Sequence, residues 1–215
     1  MIDARLFTVG PVQENCFVVR QADGDRAVVI DPGEEAPRLL AAVDDLGVAV
    51  EAILLTHTHF DHVGAVAPVA KATGAPVYCP KLERGVLADI MRFVPWPGFG
   101  PFESYEADEL LAGGERLELA GLTFDVVFTP GHSPGHVTYA LAGEEPPALF
   151  SGDVLFQGSI GRTDLPGGDH QTLLASIAGL LDAYPDETVV HPGHMGLTTL
   201  GAERATNPFL EALAR

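Results

Sequence analysis

Cysteine is nearly absent. Cys16 and Cys79 are the only 2 in 215 residues and neither belongs to a CxxC, so no disulfide framework or thiolate zinc site is signalled. Both thiols are expected to fill core positions beside strands, in a chain read as resident in a reducing cytoplasm. Basic residues are also scarce. Lys and Arg number 12 against 30 Asp and Glu, a formal charge of −18, so phosphate-rich nucleic acid would meet a repulsive field and is not an expected partner. No apolar run reaches the length of a membrane span, and MIDARLFTVG has no basic stretch leading into an apolar one; neither membrane insertion nor secretion is expected. Internal repeats, low-complexity tracts and linkers are missing as well, and residues 1–215 read as one domain.

What is abundant is turn-forming residues. Gly 24 and Pro 17 imply many shaped loops and favour strands over a helical bundle, while 47% hydrophobic and 20% charged residues give the balance of a folded globule. From Leu6 the chain reads as a β-meander through NCFVV and AVVI, followed by a helix over 34–46 that Gly47 stops. AILL at 52–55 has the wholly apolar character of a central strand. Helices are expected over 61–73 and 81–91, then a long aromatic loop over 93–105. Strands return at 116–119, 122–128, 137–141 and 148–150, ahead of a glycine-rich segment at 158–168. A helix over 171–181, a strand at 188–190 and a short terminal helix carrying Phe209, Leu210 and Leu213 close the chain. Strands with covering helices in both halves stack most economically as two sheets with helices outside, an α+β sandwich.

The 8 His are unevenly spread, and His57, His59, Asp61 and His62 fall within six residues. His57 and His59 stand two apart in extended backbone beyond a strand, so their imidazoles project to one side and converge on one ion. Asp61 and His62 begin the next helix, point differently, and suit a second ion nearby. Further ligand candidates sit at strand ends in glycine turns: His132 after TPG, Asp153 after Ser151-Gly152, and His194 after Pro192-Gly193. A carboxylate at Asp153 has two oxygens with which to bridge two cations.

THTHFDH, with PGHSPGH, SGD and PGH following in order, resembles the metallo-β-lactamase superfamily. GSIGRTDLPGGD and TTLGAERATNPFL bring the likeness nearest to single-domain type II glyoxalases, the hydroxyacylglutathione hydrolases. The resemblance spans nearly the whole chain. It implies a four-layer αββα sandwich of two mixed sheets with helices outside. It also implies two divalent ions per chain, zinc foremost with iron or manganese as alternatives. His57, His59 and His132 would hold one ion, Asp61, His62 and His194 the other, with Asp153 shared and a hydroxide between the ions as nucleophile. The implied activity is hydrolysis of a glutathione-type thioester such as S-D-lactoylglutathione. Persulfide dioxygenases, which use a single iron, share the first motif and a GRTD segment and form the alternative, with lactone or ester hydrolysis beside it.

Several residues keep two readings. His191 and His194 compete within HPGH, and His194 is preferred because it repeats the PGH form of His132. Asp31 is either a turn former or a support beneath the metal site. Arg162 either grips a carboxylate of the thiol carrier or pairs with Asp164. His136 is an ordinary buried histidine or a hydrogen-bond partner of a ligand, and His170 a surface residue. The aromatic loop is a cleft wall, a subunit contact or a satellite core. The oligomeric state is not legible.

Overall fold

The computed structural model describes residues 2–94 and 96–211. The N-terminal meander forms as read: β1 (Ile2–Val9), β2 (Glu14–Gln21) and β3 (Arg26–Ile30) pair antiparallel in turn. α1 (Ala36–Leu46) then returns the chain so that β4 (Ala49–Leu54) lies parallel to β3, with Ala52, Ile53 and Leu54 shut off from solvent as an apolar central strand requires. The helix expected over 61–73 is two helices, α2 (Phe60–Val63) and α3 (Val66–Thr73). They separate because the Ala65 N–H donates to Pro32 O at 3.0 Å, outside the helical ladder. A Cβ on Gly64 would also stand 2.5 Å from Gly33 O and 2.7 Å from the Phe102 ring.

β5 (Val77–Pro80) continues the parallel set. The next expected helix, over 81–91, is instead two single turns, α4 (Arg84–Leu87) and α5 (Ile90–Phe93), interrupted at Asp89 by φ −148° and ψ 57°. Among the described residues the aromatic stretch beyond it forms no strand or helix, and β6 (Glu109–Leu111) then adds to β5 as an unforeseen edge. Its three residues are too few to show a period.

The second half supplies β7 (Arg116–Leu119), β8 (Leu122–Phe128), β9 (Val137–Leu141) and β10 (Ala148–Gly152). A small hairpin, β11 (Leu155–Phe156) and β12 (Ser159–Ile160), opens the glycine-rich segment. α6 (His170–Ala183) starts where the Asp169 carboxylate accepts the Thr172 N–H at 2.8 Å. β13 (Val189–Pro192), β14 (Thr198–Thr199) and α7 (Leu200–Thr206) follow. The expected terminal helix is reduced to a 3-10 turn, Pro208–Leu210, in which Leu210 is buried and Phe209 exposed; Leu213 lies outside the described residues.

One sheet runs β1-β2-β3-β4-β5-β6 and the other β14-β13-β10-β9-β8-β7, both mixed. Three apolar clusters stack them into four layers. One packs α1 and α3 on the outer face of the first sheet, one fills the space between the sheets, and one packs α6 and α7 on the second. The α+β sandwich expected from the sequence is the architecture observed. Two hydrogen bonds tie the sheets together beside the site: buried Tyr139 donates its O–H to Leu55 O at 2.6 Å, and Val137 N–H donates to Thr56 O at 2.9 Å. β3, β4, β8, β10 and β13 all end at this edge, delivering Asp31, His57, His132, Asp153 and His194 from their C-terminal turns.

Candidate metal centre

β4 ends at Leu54, and the extended turn beyond it projects His57 Nε2 and His59 Nδ1 to one point, 3.1 Å apart. His132 Nε2 arrives from the loop after β8 and stands 2.8 Å from His59 Nδ1. Tetrahedral ligands held at about 2.0–2.1 Å from an ion are about 3.3 Å from one another, so these three nitrogens have the spacing of a shared cation. A second set forms beside them, with His194 Nε2 3.3 Å from Asp61 Oδ2 and His62 Nε2 3.9 Å from the same oxygen. Asp153 lies between the sets. Its Oδ2 is 3.5 Å from His132 Nε2 and 3.6 Å from His194 Nε2, while Oδ1 is 3.3 Å from His62 Nε2. The pairing of β10 with β13 slips between Phe150 and Gly152, and this irregularity turns Asp153 inward.

Gly193 allows the last ligand its approach. A Cβ there would overlap Asp153 Oδ1 and stand 2.6 Å from the His62 ring, so no larger residue fits between these side chains. The seven side chains named from the sequence are thus brought to one place. His191 is not among them: its ring stacks on Phe150 at 4.7 Å and meets Phe17 edge-on at 5.4 Å within the core.

Electrostatics suit a cation. Burial keeps His57 well below the ordinary imidazole range and lowers His59 to about 4, so both offer uncharged lone pairs. Burial works against charge on His62 and His194 too, but the surrounding carboxylates together outweigh it and raise both, Asp153 with Asp31 and Asp61 at His62 and Asp153 with Asp61 at His194. Burial likewise opposes ionisation of Asp153, yet facing His62 and His194 hold its carboxyl well below the usual range. This end of the cavity draws positive charge. Asp153 Oδ1 and His62 Nε2 are buried without a hydrogen-bond partner, and neutral imidazole nitrogens 2.8–3.1 Å apart need a proton or a cation between them. The donor set therefore fits divalent metal, and the site is a His-rich metal-binding site.

A supporting layer fixes the ligands. Asp31, in a left-handed turn at φ 49°, accepts from Thr56 N–H at 2.7 Å, Thr56 Oγ1 at 2.6 Å and His62 Nδ1 at 3.0 Å. Its two readings are therefore both realised in geometry. His136 is buried against the His57 ring, and its Nε2 accepts the Asp153 backbone N–H at 3.1 Å, which puts its own proton on Nδ1, 3.1 Å from Thr129 Oγ1. His132 Nδ1 donates to the Arg162 carbonyl at 2.8 Å, wiring the GRTD segment to a ligand. The Arg162 guanidinium binds Asp164 through two bonds of 2.7 Å and lies 5.6 Å from the Trp96 ring centre, while lining the cleft. Asp164 is correspondingly lowered to about 2. His170 is exposed at the start of α6, and Cys16 and Cys79 are buried in β2 and β5, away from the ligand groups.

Sequence reasoning passed over three side chains. Glu83, at the entry to α4, accepts from Thr58 Oγ1 at 2.8 Å, Ser133 Oγ at 2.7 Å and Gly135 N–H at 2.7 Å, clasping the His57–His59 and His132 loops together. Asn15 in β2 donates to Pro192 O at 3.0 Å and Met195 O at 2.8 Å, and so holds the turn that carries His194. Glu14 stands 3.7 Å from His62 Nδ1; its oxygens have no hydrogen-bond partner, and burial pushes its carboxyl well above the usual range. A polar pair, Glu14-Asn15, ahead of the apolar strand CFVV was the available signal for two of them.

Above the ligands opens a cleft of about 800 Å3, largely apolar, with Phe60, Phe93 and Trp96 on one wall. Phe60, between two ligands in sequence, packs on Phe99 at 4.8 Å and Phe102 at 5.9 Å. The aromatic loop therefore lines the cleft at one end and joins the core at the other.

The metallo-beta-lactamase superfamily model matches residues 9–194. The hydroxyacylglutathione hydrolase GloC of Haemophilus influenzae is 34% identical, with 98% of this chain and 99% of that protein aligned. The crystal structure of TTHA1623 in a di-iron-bound form superposes with a TM-score of 0.84 at 46% identity, over 96% of this chain and 100% of the other. That of the B3 metallo-beta-lactamase BLEG-1 gives 0.90 at 43%, over 98% and 100%.

Proposed function

The chain belongs to the metallo-β-lactamase superfamily and is a metallo-hydrolase of that group, and from this premise we propose that it cleaves a thioester of a carboxylate-bearing thiol, S-D-lactoylglutathione being the type substrate. One observation carries the reading: two adjoining sets of donor atoms share Asp153 at the floor of a cleft whose wall holds Arg162. Two bound divalent ions, zinc or iron foremost, would supply a water activated at neutral pH and a Lewis acid for the acyl oxygen.

The protein's own part is placement. Asp61 and Asp153 bring negative charge that offsets the repulsion between two cations, and they are the carboxylates positioned to orient an attacking water. Asp31 and His136 fix His62 and Asp153 from beneath, which limits the motion of donor atoms during reaction. The aromatic wall excludes water from the acyl group, and Arg162 offers the thiol carrier a guanidinium already oriented by Asp164. The partner is accordingly a small thioester. The likeness to GloC supports this choice among hydrolases.

The similarity to a B3 metallo-beta-lactamase favours a second substrate class, β-lactams, on the same donor set. A one-iron persulfide dioxygenase leaves the Asp61, His62 and His194 set without a use. Metal-loaded protein assayed side by side on S-D-lactoylglutathione, a chromogenic β-lactam and glutathione persulfide separates the three. The thioester is expected to show the highest kcat/KM. Oxygen uptake with persulfide, or lactam turnover exceeding thioester turnover, refutes the assignment.

A further inference from the structure

In a chain of charge −18, cations near a substrate cleft are few, and their partners decide what they can do. Among the described residues, Arg5, Arg20, Arg26, Arg38, Lys71, Arg116, Arg162 and Arg204 each lie within 4.0 Å of a carboxylate. Lys81, Arg84 and Arg92 have no carboxylate partner among the described residues, and Arg92 is the one of these that lines the cleft. It stands on α5, with its guanidinium 5.8 Å from the Phe93 ring centre.

The two guanidiniums at the cleft thus differ in availability. Arg162 donates from Nε and Nη2 to the two Asp164 oxygens, so one edge of its guanidinium is occupied and its charge is already paired before a ligand arrives. Arg92 carries no such counterion. Between them the wall is aromatic, and Leu82, Phe93, Trp96 and Met195 are exposed large apolar side chains that also line the cavity. A free positive charge beside an exposed apolar wall is the complement of an amphiphilic anion. The overall field repels anions, so recognition of a carboxylate has to be local.

We propose that Arg92 is a specificity-determining residue that receives a carboxylate of the substrate, whose apolar portion lies along the Phe93–Trp96 wall. The substrate class is then an acyl thioester combining an apolar group with a carboxylate-bearing thiol carrier. This deepens the thioester reading and rests on it for the identity of the reaction, while the anion site itself is testable by binding alone.

Two non-hydrolysable thioethers serve as probes: S-hexylglutathione, which carries carboxylates, and S-hexyl-N-acetylcysteamine, which carries none. Binding to metal-loaded protein is measured by calorimetry for the parent, Arg92→Gln and Arg92→Lys. The parent is expected to bind S-hexylglutathione, and Arg92→Gln to weaken it about tenfold, the low end for one hydrogen bond to a charged group, because Arg92 is exposed. Arg92→Lys keeps most of the affinity, the neutral probe does not distinguish the variants, and added salt erodes the difference. Equal binding of S-hexylglutathione to parent and Arg92→Gln, equal weakening of both probes, or no binding of either probe to the parent overturns the proposal. Arg92-dependent binding in a protein that cleaves no thioester upholds the anion site and overturns the thioester reading instead.

Discussion

Glu83 is the place where stability and metal affinity should fail together. Its carboxylate is buried and accepts three hydrogen bonds, from Thr58 Oγ1, Ser133 Oγ and Gly135 N–H, whose owners flank the ligands His57, His59 and His132. Glu83→Ala strands three buried donors. Hydrogen bonds to a charged acceptor contribute about 1.5–3 kcal/mol each, but one shared acceptor makes them non-additive, so a loss of about 3–4 kcal/mol is expected. For a chain of this length that is a fall in melting temperature of about 10 °C. Loosening the two ligand loops should weaken the first metal by about 10-fold or more, as removal of a ligand's outer partners does. Circular dichroism melts of metal-free protein read the first quantity, and competition against a chromophoric chelator reads the second. Glu83→Gln, which keeps one acceptor oxygen, should fall between parent and Glu83→Ala. A melting temperature within 2 °C of the parent together with unchanged metal affinity for Glu83→Ala would refute the reasoning, as would an effect on stability with none on metal.

Asn15→Leu removes the side-chain donors to Pro192 O and Met195 O and should free the His194 turn, weakening the second metal about 10-fold more than the first; equal weakening of both, seen in a two-site titration, contradicts this. His191 tests a buried base. Burial lowers it from 6.5 to about 4, so the unfolded chain takes up its proton more readily than the folded one. Stability from this group is fully present above pH 6.5 and drains by about 3 kcal/mol as pH falls through 4. His191→Phe keeps the stack on Phe150 and removes an unpartnered Nδ1, so its denaturant midpoint should fall less steeply between pH 7 and 4 than that of the metal-free parent; parallel curves would sink the assignment.

The ligand cluster was legible because its chemistry is local. Four donors lie within six residues, and the rest stand beside glycines at the ends of apolar strands, so residue type and backbone freedom coincide in the sequence. The longer strands were legible for the same reason, as apolar runs bounded by turn residues, whereas three-residue β6 was too short to show one. What was hidden depends on partners far along the chain. Glu83 meets Ser133 and Gly135, and Asn15 meets Pro192 and Met195, pairs that only the packed sandwich brings together. The division of the helix expected over 61–73 is of this kind too: Ala65 leaves the helical ladder because Pro32 O is near, a fact of tertiary contact rather than propensity. Arg162 shows the opposite limit. Of its two sequence readings the pair with Asp164 is the one the structure shows, and its place on the cleft wall leaves the other as part of the proposed function.

The proposed chemistry needs the two donor sets, joined by Asp153 at one strand edge, to hold two ions. Elemental analysis after titrating chelator-stripped protein with zinc or ferrous iron tests it most directly. About two ions per chain are expected in the parent and fewer in Asp153→Ala, whereas one ion or none in the parent, or an unchanged count in Asp153→Ala, would contradict it.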